Sequence, residues 1–268
     1  MANAVRCRWL AAVLVASTIL GCGRMPPRTP TTWNEPATGM RFVHVDPGAF
    51  VMGSPADEGG RESQEAPHRV RLTREFWLGM FEVTQREWAA VMGTNPSHFS
   101  GDGTRPVEGV TWFDAKAFLA ELGRRSPGNT FRLPTEAEWE YACRAGTTTP
   151  YGTGRTLGPE DANVAAVDHP APGPPAQTVS VGRYPPNAWG VYDMAGNVWE
   201  WTEDEHCPYL NGEQADPHGR CGAPLKVIRG GSWYFGPDSA RCALRYTHRP
   251  QDRGFSLGLR VVREIAGR

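Results

Sequence analysis

One helix-start signal recurs along this chain: Thr84-x-x-Glu87, Thr111-x-x-Asp114 and Thr135-x-x-Glu138. In each, the threonine hydroxyl can accept from a free N–H of the first turn, while the acid three residues on reaches back to the threonine N–H. Pro134 disfavours helix in the residue before it and sharpens the third start. The first helix offers Trp88, Val91 and Met92 to a core. The second offers Ala115, Phe118, Leu119 and Leu122 at i, i+3, i+4 and i+7, and the third Trp139 and Ala142. Gly123 predicts the end of the second helix and Gly146 the end of the third. Helices this short persist only when packed.

No helical periodicity follows Gly146. "RFVHVDPGAFVMGS" alternates on both sides of Asp46-Pro47-Gly48 and predicts a hairpin. "VRLTREFWLGMFEVT", "LKVIRGGSW" and "SLGLRVVRE" predict strands, and 167–190 reads as loop. With 31 glycines and 24 prolines in 268 residues, turns are abundant. The fold class is α+β: a small sheet, short helices and much irregular chain. Loops of that length need fasteners, such as disulfides or a bound cation.

Residues 1–21 carry Arg6 and Arg8, a short apolar run from Trp9 to Leu20, and a small residue before Cys22. This is the pattern of a secretory signal, too short for a mature membrane span. "ILGC" resembles a bacterial lipobox, which predicts lipidation at Cys22 and a place in the bacterial cell envelope. Gly23 in place of aspartate points to the outer membrane by resemblance to enterobacterial sorting. Residues 22–38, rich in proline and threonine, read as a tether, and 39–265 as one domain. A net charge of -1 gives no ground for nucleic-acid binding. There is no GxSxG and no phosphate-cradling glycine loop, and without CxxC or HxxxH no zinc site is expected.

Apart from Cys7 and Cys22, four cysteines remain: Cys143, Cys207, Cys221 and Cys242. In an oxidising compartment they allow three pairings. Cys207 and Cys221 bracket a polar loop whose closure would restrain the unfolded chain by ~3 kcal/mol, leaving Cys143 with Cys242.

"DMAGNVWEW", Asp193 to Trp201, sets carboxylates beside tryptophans. Hard cations take oxygen ligands, and Asp193 and Glu200 supply them, while Gly196 lets the chain fold back. Trp199 and Trp201 alternate with Glu200 and would face a core. The same residues would also serve as a packed aromatic turn with surface carboxylates.

These stretches fall in a fixed order: "FVMGS" (50–54), "EVTQREW" (82–88), "PVEGVTWFDA" (106–115), "FRLPTEAEWEYACRAG" (131–146), "NAWGVYDMAGNVWEWT" (187–202), "VIRGGSW" (227–233) and "LGLRVV" (257–262). Together they resemble the formylglycine-generating enzyme, or sulfatase-modifying factor, family. The resemblance implies a C-type-lectin-like fold with a small twisted antiparallel sheet and structural calcium. One calcium site would be formed by the Asp193 and Glu200 side chains and the Gly196 and Val198 carbonyls. A weaker one would begin at Asn163 and Val164 and continue in 167–176. It also implies the Cys143–Cys242 disulfide, and a groove near Trp199, Ser232, Trp233 and Arg245 that holds a peptide or glycan.

Catalytic relatives oxidise a cysteine of a secreted client, such as a sulfatase, with Cu(I) held by two cysteines, the soft thiolates that this ion prefers. Those positions here are Phe235 and Ala240, so copper and its chemistry are not expected and no catalytic residue is assigned. The expectation is a calcium-stabilised, lipid-anchored binding or accessory module. The alternative is an oxidase acting on secreted proteins with altered ligands.

Overall fold

The computed structural model describes residues 29–166 and 177–265. The signal segment, Cys7 and Cys22, and the 167–176 segment lie outside them. All three capping boxes form, each threonine accepting from the N–H three residues on and each acid reaching back. Helix α1 is Gln85–Met92, α2 Trp112–Arg125 and α3 Glu136–Arg144. Helix α2 runs through Gly123, because Arg124 and Arg125 continue the last turn and ion-pair with Glu121. After α3, the only helical element among the described residues is a 3-10 turn at Pro237–Ala240. None of the described helices is long and apolar enough to cross a membrane.

Strands β1 (Thr32–Asn34), β2 (Arg41–Val45), β5 (Phe76–Gly79), β6 (Thr130–Arg132) and β12 (Val262–Glu264) make one sheet in the order β1-β2-β5-β12-β6. A second sheet runs β10-β9-β7-β11, from β7 (Trp199–Glu205), β9 (Lys226–Arg229), β10 (Tyr246–His248) and β11 (Leu257–Leu259). A third holds β3 (Gly48–Met52), β4 (His68–Leu72) and β8 (Gln214–Ala215). The hairpin expected around Asp46-Pro47-Gly48 is not made. Strand β2 pairs with β1 and β5, and β3 with β4, so Asp46-Pro47 carries the chain between sheets. Alternation fixed which faces are buried, but not the partner. Strand β1 also lies within the stretch read as tether. Trp33 packs 5.4 Å from the Phe42 ring, and buried Glu35 closes a turn onto Ala37 and Thr38.

The core forms around both larger sheets. One cluster joins the stacked rings of Trp88 and Phe118 to Leu119, Leu122, Trp199 and Trp201, and another joins Val43, Leu78, Trp139 and Val262. β11 runs parallel to β7, pairing Gly258 with Glu200, whereas β12 lies between β5 and β6. Arg260 and Val261 alone separate β11 from β12, so one short segment closes two sheets.

Both disulfides form as expected, Cys143–Cys242 across a separation of 99 residues and Cys207–Cys221 across 14. Loop closure makes the long staple the stronger. Replacing Cys143 and Cys242 together by alanine should lower unfolding free energy by ~2–5 kcal/mol, and replacing Cys207 and Cys221 by less. Urea titration of the two double variants tests this, and equal losses would remove loop closure as the source.

Candidate functional site

The 193–200 turn is built on left-handed backbone. Asp193 (φ 56°), Gly196 (φ 81°) and Asn197 (φ 59°) all lie there. At Gly196 a Cβ would fall 2.3 Å from the Asn163 carbonyl oxygen, so only glycine permits the close pass of these two segments. The Gly196 N–H donates to Gly230 O (2.7 Å), and the Asn197 N–H to Asn163 O (2.8 Å). The turn thus joins the second sheet to the 163 segment before β7 begins.

Within this turn the charges are buried and close. The Glu200 carboxylate accepts from Arg260 Nη2 (2.6 Å) and Nε, and from the Trp139 indole N–H (2.7 Å). Glu82 accepts from Asn197 Nδ2 (2.7 Å) and the Val198 N–H (3.1 Å). Burial, then the charges of Asp193 and Glu200, hold the Glu82 carboxyl well above the usual carboxylate range. Asp193 accepts from the Gly182 N–H at 2.6 Å. Burial pushes its carboxyl up to about 6, with the Gly182 bond and Arg260 pulling the other way. Three carboxylates therefore share one guanidinium, Arg260, whose charge all three support.

Sequence reasoning singled out Asp193 and Glu200 but not Glu82, Arg260 or Trp139. Each sits in a stretch read as an ordinary strand or helix, and only the closing of the sheets brings it to the turn. Trp199 and Trp201 point away from the charges and are buried in the core, as alternation required. At the second expected site, the Asn163 amide donates to Gln177 O (3.0 Å) and Asn197 Oδ1 (3.2 Å), and Val164 packs beside Gly196. The 167–176 ligands expected there lie outside the described residues.

Trp199, Ser232, Trp233 and Arg245 do not line one groove. All four are buried. Trp199 stacks on Tyr246 (5.2 Å between centroids) and meets Phe235 edge-on at 5.4 Å. Trp233 supports Phe255 at 5.6 Å. The surface above them is aromatic: Tyr246 and Phe255 are exposed, and Tyr234 and Phe235 link them through ring contacts of 5.9–6.0 Å. A ring on Phe235 fills one place expected of a copper thiolate. At the other, Ala240 is fully buried and packed so tightly that a Cβ on Gly231 would meet its Cα at 2.9 Å. All four cysteines among the described residues are paired.

Arg245 belongs to a different place. It grips Glu136 through Nε (2.6 Å) and Nη2 (2.9 Å) at the start of α3, where Arg229 also approaches at 3.6 Å. Burial alone would raise the Glu136 carboxyl, but Arg245 and Arg229 more than offset it and hold it below its usual range. Next to it, Asp204 accepts from the N–H groups of Glu136 (2.8 Å) and Gly219 (2.5 Å). Burial and the nearby Glu136 charge push Asp204 up to about 7.

With this geometry in hand, similarity to known proteins becomes informative. Residues 29–265 match the sulfatase-modifying factor enzyme 1-like domain. The chain is 36% identical to the formylglycine-generating enzyme of Streptomyces coelicolor over 84% of its own length and 67% of that protein. It is 35% identical to serine/threonine-protein kinase pkn1 of Chlamydia pneumoniae over 84% of its length, but spans only 38% of that relative. Among solved structures, PvdO from Pseudomonas aeruginosa superposes with a TM-score of 0.76 at 30% identity, covering 89% of this chain and all (100%) of PvdO. The C-type-lectin-like fold of that family is therefore the fold observed here.

The proton on Asp204 is bound more tightly in the folded than in the unfolded chain. Stability from this group is thus greatest below pH ~4 and is lost as pH rises to about 7. Asp204→Asn should remove that part of the decline, so the gap in Tm between parent and variant narrows from pH 5 to pH 8. A gap that stays constant across that range would show that Asp204 does not titrate in this way.

Proposed function

The chain belongs to the sulfatase-modifying factor family, and on that premise we propose that it is a calcium-stabilised, lipid-anchored binding or accessory module of the cell envelope. It does not act as a copper-dependent cysteine oxidase. The observation that carries this reading is the replacement of both thiolate positions by Phe235 and Ala240, with Cys242 held by Cys143. A Cu(I) ion on two sulfurs needs two thiolates, and an aromatic ring and a methyl group supply none.

The binding surface is the aromatic face of Tyr246, Tyr234 and Phe255, braced from below by Trp199 and Trp233. Aromatic rings held in place from beneath are effective anchors for a peptide or a glycan, because little side-chain freedom is lost on contact. The Asp193 and Glu200 carboxylates, with the Gly196 and Val198 carbonyls, would hold calcium. The fit is supported by the charge balance, since Arg260 neutralises one of three buried carboxylates. Bound calcium would supply the remaining positive charge and lock the turn from which β7 springs. Asn163 and Val164 are proposed as part of a weaker second site. The lipid anchor would be carried by Cys22.

A second reading is favoured by the relative from Streptomyces coelicolor that is named a formylglycine-generating enzyme. In that reading the chain is an oxidase of secreted proteins with other metal ligands. Incubation with a CxPxR peptide, with and without Cu(I), separates the two. Mass spectrometry should find only the unmodified cysteine, and the aldehyde would overturn the module reading. For calcium, EDTA should lower Tm and added calcium restore it. Asp193→Gly keeps the left-handed backbone but removes the ligand, and should abolish that response. For the anchor, Cys22→Ala should move the protein from the membrane fraction to the soluble fraction, and an unchanged distribution would argue for a different attachment.

A further inference from the structure

The two disulfides differ in where they lie. Cys143 and Cys242 are buried in the core, whereas Cys221 is exposed and Cys207 half-buried. Beside this outer pair stands an acid. A carboxylate oxygen of Glu205 and the sulfurs of Cys207 and Cys221 all lie within 4.8 Å of one another. Glu205 is the last residue of β7, so the second sheet sets its position. No CxxC marks the place in the sequence, because Cys221 comes from the far end of a loop.

That loop is fastened by bonds that do not involve sulfur. Strand β8 pairs with β4, Asp216 accepts from the Thr73 N–H (2.7 Å), and its own N–H donates to Arg71 O (2.9 Å). Closer to the cysteines, the Cys207 N–H donates to Glu205 O (2.8 Å) and the Glu205 N–H to Gly219 O (2.9 Å). Glu205 Oε2 accepts from the N–H groups of Cys221 (2.9 Å) and Gly222 (2.7 Å). Breaking the disulfide therefore leaves both cysteines tied to residue 205. These bonds use Oε2, while the nearest cation to Oε1 is Lys226 at 3.9 Å. The Gly222 N–H, with that of Cys221, holds the Glu205 carboxyl below its usual range, so it is ionised at neutral pH.

An exposed disulfide is open to attack by an external thiolate, and a buried one is not. A dithiol reductant attacks the exposed sulfur of Cys221, and Cys207 leaves as a thiolate. The second thiol of the reductant then releases Cys221. Two electrons pass to the protein, and the reductant becomes a disulfide. Two thiols beside an ionised carboxylate remain. Two sulfurs and one oxygen fill three of the four positions of a tetrahedral Zn2+ site and leave the fourth to water. Calcium and magnesium prefer oxygen throughout, and Cu(I) has no need of the carboxylate. We propose that Glu205, Cys207 and Cys221 form a zinc site that is closed while Cys207–Cys221 is oxidised and is created when a dithiol reduces it. The two thiol protons leave as Zn2+ binds, so the ion rests on two thiolates and a carboxylate.

The full chain would be treated briefly with dithiothreitol, desalted under nitrogen, and divided between thiol labelling and metal titration. Iodoacetamide labelling and peptide mass spectrometry should find Cys207 and Cys221 modified, with Cys143 and Cys242 still joined. With calcium in excess, to fill oxygen-only sites, calorimetry should show Zn2+ bound ~100-fold or more tightly by the reduced than by the oxidised chain. Cd2+ in place of Zn2+ should add the ultraviolet charge-transfer band of a thiolate ligand. Glu205→Gln keeps an acceptor for the Cys221 N–H and should weaken zinc about tenfold or more. Replacing Cys207 and Cys221 together by serine should abolish the tight site. The proposal is overturned if reduction leaves zinc affinity unchanged, or if either variant binds as tightly as the reduced parent. It is also overturned if Cys143–Cys242 opens first, or if reduction abolishes the near-ultraviolet circular dichroism, since the loop would then depend on its disulfide.

Discussion

The pairing of Arg260 with Glu200 is the constraint from which the rest of the molecule is arranged. Both side chains are buried, with an N–O separation of 2.6 Å. Arg260 also donates to Gly79 O (3.0 Å) at the end of β5 and to Tyr192 O (2.9 Å) ahead of the 193–200 turn. One guanidinium therefore ties the first sheet, the second sheet and the candidate cation turn. A buried pair of this kind adds little net stability over an apolar replacement, but it is severely penalised if either partner is lost. Its role here is to fix where the segments meet.

The same logic separates two regions of the molecule. Around Trp199, aromatic rings take the space where soft ligands would be needed, and packing rather than chemistry governs that face. Around Arg245, ion pairs govern: Glu136, Glu140, Arg144 and Arg229 form a continuous buried network at the start and along the length of α3. Aromatic contact suits broad, shallow partners, whereas the buried ion pairs fix the position of α3 against its neighbours.

Much of the local structure was legible in the sequence. Each Thr-x-x-acid start produced a capping box, because that signal is satisfied within one turn and needs nothing from the rest of the chain. The core residues of α2 follow for the same reason. Partner choice was not legible: the alternation around Asp46-Pro47 set two strands correctly but sent them to different sheets. Glu82 was hidden because a single acid in a strand-like stretch resembles a surface residue until Asn197 and Val198 close over it. Of the residues that the resemblance gathered into one groove, Arg245 turns to Glu136 while Trp199 stacks on Tyr246. Trp199 and Arg245 flank different features of the folded chain.

Arg260 follows Glu200 by 60 residues, and that order has a consequence for how the protein comes into being. Strands β11 and β12, residues 257–264, complete one sheet at its edge and the other from within. A polypeptide made from its amino end thus holds Glu200 without its counter-charge, and β5 with one of its two neighbours, until residues 257–264 are synthesised. A copy cut ahead of Leu257 lacks the strands that pair with β7, β5 and β6, and so leaves both layers open.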